Sequence, residues 1–456
     1  MNTCKILMPI GSLGAGISQE AFDCGMAWSP DVIAIDAGST DSGPAYLAQG
    51  ICKYNRGMLK NDLGIALRGG LKAGVPVFVG SCGTCGTDST VDECFEIVRE
   101  IFNEEGFKGK IARIYSQQDP AALKQKWAQG KIHGLEGAPS VTAQTFDECE
   151  HIVALLGAEA FIEAYKDGAQ VILAGRTTDT AIIAALPLYR GCNTAAAWHG
   201  AKTVECGAQC ADKSDGMGVF LTVDERGFYV KPLMPDAHCT PHTVSAHLLY
   251  ENSDPYYLKE PSGTMLTKNA IYTQIDEHTV YVTGSEFEPA RQYTMKLEGA
   301  AVAGYQNISL VGIANRKVCA DPEGWIKNIS AYVDKYIQKV GYSPNDYSFN
   351  FKAYGYNAVI AGPVPAGTPA PRELGMLLTV TAKTQDMATK IAKVFNPFLL
   401  HFPADFERTQ REELPSFAFP FSPVDCPRGA TYEFKLYHVV DVDDPLELVR
   451  FEYTEI

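Results

Sequence analysis

The sequence lacks any apolar run that could cross a membrane and lacks the basic excess that nucleic-acid binding requires. No segment approaches the ~20 consecutive apolar residues of a transmembrane helix. Asp and Glu number 54 against 39 Lys and Arg, which gives a formal net charge of −15. Because phosphates are bound by basic surfaces, this charge argues against a nucleic-acid partner and, more weakly, against anionic membranes. The charge does not exclude an anionic small molecule as a ligand, since a binding site depends on local donors and dipoles.

The sequence also lacks the motifs of several large enzyme classes. It contains no GxSxG of serine hydrolases, no HExxH of zinc proteases, no EF-hand loop and no kinase signature. The glycines of residues 11–16 follow the pattern GxxGxG rather than the dinucleotide-binding GxGxxG, and no Walker lysine accompanies them. Nicotinamide-dependent and P-loop enzymes are therefore not indicated.

Cysteines are numerous, but their number and positions do not indicate a disulfide framework. The chain has 13 cysteines, an odd number, and several lie in apolar contexts, such as Cys4, Cys94 and Cys319. The first residues hold a single Lys and a brief apolar run, which predicts an initial strand rather than a secretory signal. We therefore expect reduced thiols and a cytoplasmic protein.

Composition and periodicity indicate an α/β fold. Hydrophobic residues make up 46 % and charged residues 20 % of the 456 residues, and that length allows two or three domains. Early apolar runs alternate with amphipathic segments, so we expect a mostly parallel sheet with flanking helices, plus a β-rich α+β C-terminal region. The expected divisions are an α/β ligand-binding domain over 1–214, a β-rich region over 215–360 and an α+β domain over 361–456.

The local patterns predict the individual elements. Early strands are expected over 5–10, 31–36, 75–80, 110–116 and 170–174. Early helices are expected over 18–28, with Ser18 as N-cap, and over 58–71, 91–107, 120–129, 151–167 and 180–189. Later elements are hairpins over 219–231 and 270–284, strands over 293–298, 308–313, 374–381 and 432–440, and helices over 322–340 and 386–398. The hairpin region is either a second domain or an extension of the sheet, and the proline-rich stretch 361–372 is a linker or surface loop.

Each of the five early strands ends in small or polar residues. The carboxyl ends of parallel strands lie at one edge of a sheet, where open α/β folds bind their ligands. The loops concerned are 11–16, 36–44, 81–88, 116–119 and 175–179. Their expected convergence predicts a site for an anionic ligand at this edge.

The first two loops supply candidate binding residues. Glycines let backbone N–H groups approach an anion, so Gly11 and Gly14 are candidates for binding a phosphate or carboxylate. In the second loop Gly38, Ser39 and Asp41 are candidates for substrate binding. The alternative for the first loop is a tight strand-to-helix turn that simply requires glycine.

Carboxylates at the strand ends are candidates for catalysis. Asp36 and Asp179 have small neighbours that leave room for a ligand, and each could act as a general base, hold a divalent metal ion or bind hydroxyl groups. For Asp41 and Asp179 the alternative is helix capping, since both lie near expected helix starts.

The loop after the fifth strand supplies a candidate cation. Arg176 follows a buried strand directly, which suits bidentate capture of a substrate carboxylate or phosphate, with Gly175 and Thr180 as further binding candidates. The alternative is an internal salt bridge from Arg176 to Asp179 or to another loop acid.

Cys82 and Cys85 form the only CxxC pair. Such a pair can be a redox centre or half of a metal site. No second CxxC completes a four-thiolate site, and the pair does not stand at a helix start. Small residues in a tight loop are the favoured interpretation.

The stretch 195–209 predicts a helix with reactive side chains on one face. His199, Lys202 and Cys206 share that face, with Glu205 beside them. His199 and Lys202 could form an acid/base pair. The alternative is a satisfied, partly buried histidine with an exposed Lys202–Glu205 pair.

Three histidines follow in the segment 238–247. Pro241 interrupts any helix between His238 and His242, so a metal triad is not expected there. His247 alone is a candidate metal ligand.

Several long runs resemble the acyclic terpene utilization (AtuA) family, from about residue 8 to 450. They are PDVIAIDAGSTDSGPAYL, AGRTTDTAIIAALPL, AWHGAKTVECGA, CTPHTVSAHLLYENSDPY with EPSG after it, YTMKLEGA with GY, and the tail FPFSPVD…YEFKLYHVVDVDDPLEL. The family name comes from bacterial breakdown of citronellol- and geraniol-type terpenes. The resemblance implies a bacterial catabolic protein of small-carboxylate and CoA-thioester metabolism.

The resemblance also ranks residues. Those within the matching runs are Gly11, Asp36, Gly38, Ser39, Asp41, Gly43, Pro44, Gly175, Arg176, Asp179, Thr180, His199, Lys202, Glu205, Cys206, Gly207 and His247. Cys82 and Cys85 stand where relatives carry small residues, and His242 is peculiar to this chain.

Together these observations predict a catabolic enzyme that acts on a small organic acid or its acyl-CoA thioester by lyase or isomerase (hydratase-like) chemistry. The expected catalytic residues are Asp36, Asp179, His199 and Lys202, and a divalent metal ion would be held by Asp36, Asp179, Glu205 and His247. The alternatives are a non-catalytic ligand-binding or stabilising subunit, and a redox protein that uses its CxxC. We expect a homo-oligomer, with a small partner protein as a further alternative.

Overall fold

The computed structural model describes residues 2–38, 42–213, 218–250, 252, 254–360, 362–404 and 417–456. Within these ranges the chain forms helices α1–α13 and strands β1–β20. The strands are β1 Cys4–Met8, β2 Val32–Ile35, β3 Val77–Val79, β4 Lys110–Tyr115, β5 Ile132–Gly134, β6 His151–Ala154, β7 Val171–Ala174, β8 Val219–Val223, β9 Gly227–Pro232, β10 Tyr257–Glu260, β11 Gly263–Leu266, β12 Ile271–Gln274, β13 Val280–Thr283, β14 Glu286–Pro289, β15 Tyr293–Ile313, β16 Tyr347–Tyr354, β17 Leu374–Ala382, β18 Phe417–Ala418, β19 Asp425–Val442 and β20 Arg450–Glu455.

The helices are α1 Gln19–Ala27, α2 Ala45–Gln49, α3 Arg56–Ala73, α4 Asp88–Glu105, α5 Pro120–Ala128, α6 Ala143–Glu148, α7 Ala158–Lys166, α8 Ala181–Tyr189, α9 Thr194–Val204, α10 Pro241–Ala246, α11 Arg316–Ala320, α12 Pro322–Lys339 and α13 Gln385–His401. Short 3₁₀ helices follow α9 at Gly207–Cys210 and α10 at His247–Leu249. Among these described helices none has the length and apolar character needed to span a membrane.

Two compact units make up the chain. The first comprises Met1–Ala301 with Glu433–Ile456, and the second comprises Val302–Tyr432. Along the chain, β15 and β19 each pass from one unit into the other.

The first unit is built on a ten-stranded sheet in the order β12-β13-β9-β8-β1-β2-β3-β7-β4-β20. The five predicted early strands form its centre and are parallel to one another. All pairings outside that centre are antiparallel. The prediction of a mostly parallel sheet is therefore wrong for the sheet as a whole, which is mixed. Both predicted hairpins, β8–β9 and β12–β13, extend this sheet beyond β1.

The central strands β2, β3 and β7 are buried along their whole length. Val32 and Ile33 are both fully buried, yet they belong to different hydrophobic clusters. Successive strand residues point to opposite faces, so each face of the sheet has its own core. Residues of α3 and α4 fill the cluster on one face, and residues of α7, α8 and α9 fill the cluster on the other.

One early helix prediction needs correction. The stretch 151–167 begins as β6, and only its later part is helical, as α7. β6 pairs antiparallel with Leu297–Ala300 of β15, which lies far along the chain. A small antiparallel sheet, β10-β11-β14, also belongs to the first unit.

The second unit is an α+β structure. β17 pairs antiparallel with both β16 and the later part of β15. Side chains of α12 and α13 fill its separate core, which includes Trp325, Ile329 and Phe395.

Candidate functional site

Backbone hydrogen bonds join the ends of the central strands. The Leu13 N–H donates to the Asp36 carbonyl at 2.8 Å, the Ala37 N–H to the Gly80 carbonyl at 3.1 Å, and the Ser81 N–H to Gly175 at 2.9 Å. The loops that the sequence placed at one edge of the sheet therefore lie together there.

The first glycine loop already contains an anion, the side chain of Asp62. Its carboxylate accepts hydrogen bonds from the N–H groups of Gly14, Gly16 and Ile17 at 2.9–3.1 Å. Asp62 is fully buried on α3. Because these donors are occupied within the chain, we leave Gly14 out of the substrate site, contrary to the sequence-based expectation. Gly11 has a different role, since a Cβ there would lie 2.5 Å from the Cys206 carbonyl carbon.

Arg176 lies at the centre of the converging loops and is only 4 % exposed. Its Nη1 donates to Ser81 Oγ at 3.0 Å, and its Nε donates to Glu298 Oε2 at 3.2 Å. Asp179 Oδ1 lies 3.7 Å from Nη1. Despite the burial of the guanidinium, Glu298 and Asp179 raise the pKa of Arg176. The internal salt bridges that the sequence left open are therefore present.

Small residues make room for Arg176. A Cβ on Gly38 would lie 2.0 Å from Arg176 Nη1, and a Cβ on Gly175 would lie 2.6 Å from Ser116 Oγ. Ser116 Oγ in turn accepts the Arg176 N–H at 2.7 Å. Both glycines thus position the arginine. The candidates Ser39 and Asp41 lie outside the described residues.

Arg176 contributes to the wall of a cavity of about 680 Å³ within the first unit. The wall carries cations, carboxyl groups, hydroxyl groups and a few apolar side chains. Its residues are Leu135, Glu136, Leu155, Arg176, Thr178, Asp179, Thr180, Lys202, Glu205, Asn252, Asp254, Tyr257, Leu258, Lys259, Glu260, Lys296 and Tyr437. The volume lies within the range of small-molecule sites, roughly 300–1,000 Å³.

Glu260 stands out among the carboxyl groups of the wall. Its Oε1 accepts a hydrogen bond from Thr180 Oγ1 at 2.8 Å, while its Oε2 is buried with no hydrogen-bond partner among the described residues. Burial raises the pKa of Glu260 to about 7. This group can therefore exchange a proton at neutral pH.

Two of the predicted acids lie around Arg176. Burial and the neighbouring Asp179 raise the pKa of Asp36, whose Oδ2 accepts the Gly38 N–H at 3.0 Å. Burial also raises the pKa of Asp179, although the Arg176 charge opposes this shift. Asp179 lines the cavity, whereas Asp36 lies behind its wall.

Lys202 lies on the last turn of α9 and forms an ion pair in the same wall with Glu205, the residue directly after the helix. Burial raises the pKa of Glu205 to about 8, although the Lys202 ammonium opposes the shift. The pair is largely buried, so the alternative of an exposed surface pair does not apply.

His199 is held away from the cavity. Its Nδ1 lies 2.6 Å from Ser285 Oγ and its Nε2 lies 3.2 Å from the Tyr272 hydroxyl, so both ring nitrogens are satisfied. Burial lowers its pKa to about 3. His199 faces the core although Lys202 of the same helix reaches the cavity, and we withdraw it as a catalytic candidate.

Of the predicted metal ligands, the structure brings Glu205 and His247 together. Along with Cys206 they each place one ligand atom within 4.8 Å of the others. Asp36 and Asp179 are not part of this group. His238 stacks on His278, and the absence of a metal triad among the histidines of 238–247 stays a prediction.

Cys82 and Cys85 lie buried in a turn where Gly83, Thr84 and Gly86 adopt positive φ angles. Cys85 Sγ contacts neighbouring hydroxyl groups and the Ile51 carbonyl. No disulfide joins any of the cysteines, all of which lie in the described part of the chain.

Sequence reasoning missed three acids and one lysine of this region: Asp62, Glu260, Lys296 and Glu298. Lys296 Nζ donates to Glu298 Oε1 at 2.9 Å. Glu260 lies in the run EPSG, and Lys296 and Glu298 lie in the run YTMKLEGA. Their presence in runs that resemble the family was the available signal.

Comparison with known proteins adds a family assignment. Neither the curated proteins nor the solved structures gave a match. The family model described as acyclic terpene utilisation family protein AtuA matches residues 54–428, which is most of the chain. The chain therefore belongs to the AtuA family, which associates it with acyclic terpene utilisation.

Proposed function

We propose that this protein is a catabolic enzyme that acts on a small organic acid or its acyl-CoA thioester by lyase or isomerase chemistry. One observation carries the proposal: Arg176 and Glu260 both face the 680 Å³ cavity, so a buried cation and a carboxyl group with an unpaired oxygen meet one ligand. A cation binds a substrate carboxylate, and the carboxyl group can transfer a proton next to it.

The substrate anion binds between Arg176 and Lys296 in this proposal. Arg176 is oriented by Ser81 and Glu298, so its guanidinium need not reorganise when the substrate arrives. Lys296 lines the same cavity, with its ammonium 4.9 Å from the Tyr437 ring centroid. Two cations at one end of the cavity also stabilise the negative charge of an enolate.

Glu260 and Asp179 transfer the protons in this proposal. Glu260 removes the proton from the carbon beside the carboxylate or thioester, and the released electron pair forms the new double bond. The bond to a hydroxyl group on the next carbon breaks as Asp179 protonates that oxygen, so water leaves. The reverse sequence hydrates the double bond. The pKa of Glu260 near 7 and the raised pKa of Asp179 suit a base and an acid at neutral pH.

The test is solvent proton exchange. The purified protein is incubated in D₂O with hydroxy acids, unsaturated acids and their CoA thioesters, with and without Zn²⁺, Mn²⁺ or Mg²⁺, and followed by ¹H NMR. We expect deuterium at the carbon beside the carboxyl group, together with interconversion of the hydroxylated and unsaturated acids. Glu260→Gln and Asp179→Asn should each slow turnover at least 100-fold.

Glu288→Gln is the matched control, because Glu288 is an exposed carboxylate in the same small sheet as Glu260. Its turnover should equal that of the unchanged protein. Ligand-induced thermal stabilisation with neither exchange nor product would instead favour the non-catalytic ligand-binding subunit.

A further inference from the structure

Three potential metal ligands of different chemistry meet beside the cavity. One ligand atom each of Glu205, Cys206 and His247 lies within 4.8 Å of the other two. Glu205 and His247 are buried, with 4 % and 5 % of their surfaces exposed. The first two follow α9 directly, and His247 begins the 3₁₀ helix after α10. Two short segments that are distant in sequence therefore hold the cluster together.

The His247 side chain gives an independent indication of a ligand. Its Nε2 is buried and has no hydrogen-bond partner within the part of the chain that the structure describes. The ring stacks on Tyr250 with a centroid distance of 5.9 Å. A buried imidazole nitrogen normally has a donor, an acceptor or a metal ion beside it.

We propose that Glu205, Cys206 and His247 bind a divalent transition-metal ion of the zinc(II) or cobalt(II) type. A thiolate and an imidazole select such ions over Mg²⁺ and Ca²⁺, which prefer oxygen ligands. Bond lengths of about 2.0–2.3 Å place the ligand atoms of a tetrahedral site roughly 3.3–3.8 Å apart, so a small contraction completes the site. Glu205 also lines the cavity, so the proposed metal site adjoins it.

Lys202 lowers the affinity of the proposed site for a metal ion. Its ammonium contacts Glu205 Oε1 and therefore competes with a metal ion for that carboxylate. Repulsion between the ammonium and a dication acts in the same direction. Removing the charge with Lys202→Met should tighten metal binding several-fold, an effect that a merely structural ion pair would not produce.

The role of the ion depends on the proposed function. In that reaction a metal at this position would polarise a substrate oxygen and assist the loss of a hydroxyl group. Its binding does not depend on that function. The test therefore uses no substrate, and a failure to bind metal is distinguishable from a failure to turn over an acid.

The experiment titrates metal-stripped full-length protein with Co²⁺ and records its absorption spectrum. We expect one equivalent to bind with visible bands of tetrahedral cobalt and a thiolate-to-cobalt charge-transfer band in the near ultraviolet. Cys206→Ser should abolish the charge-transfer band. His247→Gln and Glu205→Gln should each weaken binding at least tenfold.

Cys426→Ser is the matched control, since Cys426 is a partly exposed thiol in the second unit. Its spectrum and affinity should be unchanged. Circular dichroism of each variant without metal identifies any that fails to fold, and Lys202→Met then supplies the decisive measurement. Absence of stoichiometric Co²⁺ binding, or a charge-transfer band that persists in Cys206→Ser, would overturn the proposal.

Discussion

Asp62 accepts hydrogen bonds from three backbone N–H groups of the loop after β1, and its side chain is fully buried. A carboxylate offers enough acceptor capacity for all three donors. The loop thus resembles an anion-binding loop in its glycines and donors, but its anion is supplied by α3. For this reason a glycine-rich loop in sequence does not by itself identify a substrate site.

Asp62→Asn should destabilise the protein by roughly 2–4 kcal/mol, because the amide has one acceptor oxygen and turns an NH₂ group toward the remaining donors. Urea unfolding followed by circular dichroism measures the change. Asp23→Asn serves as the control, since Asp23 is an exposed acid that accepts a hydrogen bond from the Gln19 side chain. That variant should change the unfolding free energy by less than about 0.5 kcal/mol. Equal urea midpoints for the two variants would contradict the role given to Asp62.

Glu260 links stability to pH. Burial raises its pKa from 4.5 to about 7, so the folded state favours the neutral acid. This contribution to the folding stability is fully present below 4.5, the pKa of Glu260 in the unfolded chain, and is lost as the pH rises through about 7. Glu260→Gln cannot ionise, so its stability relative to the unchanged protein should increase by roughly 3 kcal/mol from pH 4.5 to pH 8. Urea unfolding across that range measures the difference, and a pH-independent difference would be inconsistent with a buried, titrating Glu260.

At the scale of elements, Gly11 fixes how the end of α9 meets the sheet. A Cβ there would lie within 3 Å of three backbone atoms of Cys206, and backbone cannot rotate away as a flexible side chain can. Gly11→Ala should therefore displace the segment that carries Glu205 and Cys206 and cost roughly 1–3 kcal/mol. Hydrogen exchange of residues 194–210 should become faster.

Gly375→Ala is the comparison, because a Cβ in that strand would meet Tyr354 Cβ at an ordinary 3.5 Å. It should leave the stability almost unchanged. If Gly11→Ala exchanged no faster than Gly375→Ala over residues 194–210, the close approach would have no structural importance.

The elements also explain what the sequence could and could not predict. Continuous apolar runs such as those of β2 and β7 are buried on both faces, so their positions and the loops after them were predictable. β6 was not, because its four residues form a strand by pairing with β15, more than 140 residues later, and with the loop after β4. Glu298 reaches Arg176 by the same long-range pairing. A local pattern cannot specify such a partner, and an internal salt bridge of Arg176 was one of two alternatives that the sequence left open.

Glu260 was missed for a related reason. It ends β10, a short strand with two exposed residues that has no strong strand pattern. Its importance depends on Thr180, a residue distant in sequence whose Oγ1 donates a hydrogen bond to Glu260 Oε1 at 2.8 Å. The residues at the ends of the central strands, such as Arg176 and Asp179, were therefore predictable. Those that distant strands bring to the site, such as Glu260 and Glu298, were not.

At the scale of the whole molecule, the two compact units have separate cores. The cavity and the proposed metal ligands belong to the first unit, while Phe395 of α13 is fully buried in the second. Phe395 contacts Phe349 and Phe351 with ring centroids 4.8 and 5.8 Å away. Separate cores imply that each unit can lose its packing at its own free-energy cost.

Phe395→Ala should cost roughly 3–5 kcal/mol, because it leaves a cavity in the core of the second unit. Hydrogen exchange monitored by mass spectrometry should show lost protection in β16, β17 and α13, with β1, β2 and β3 as protected as before. Lys393→Ala, an exposed change on the same helix, should leave both regions unaffected. Equal loss of protection in β1–β3 would mean that the two cores unfold as one cooperative unit, and the Co²⁺ titration of Phe395→Ala would then lose its site as well.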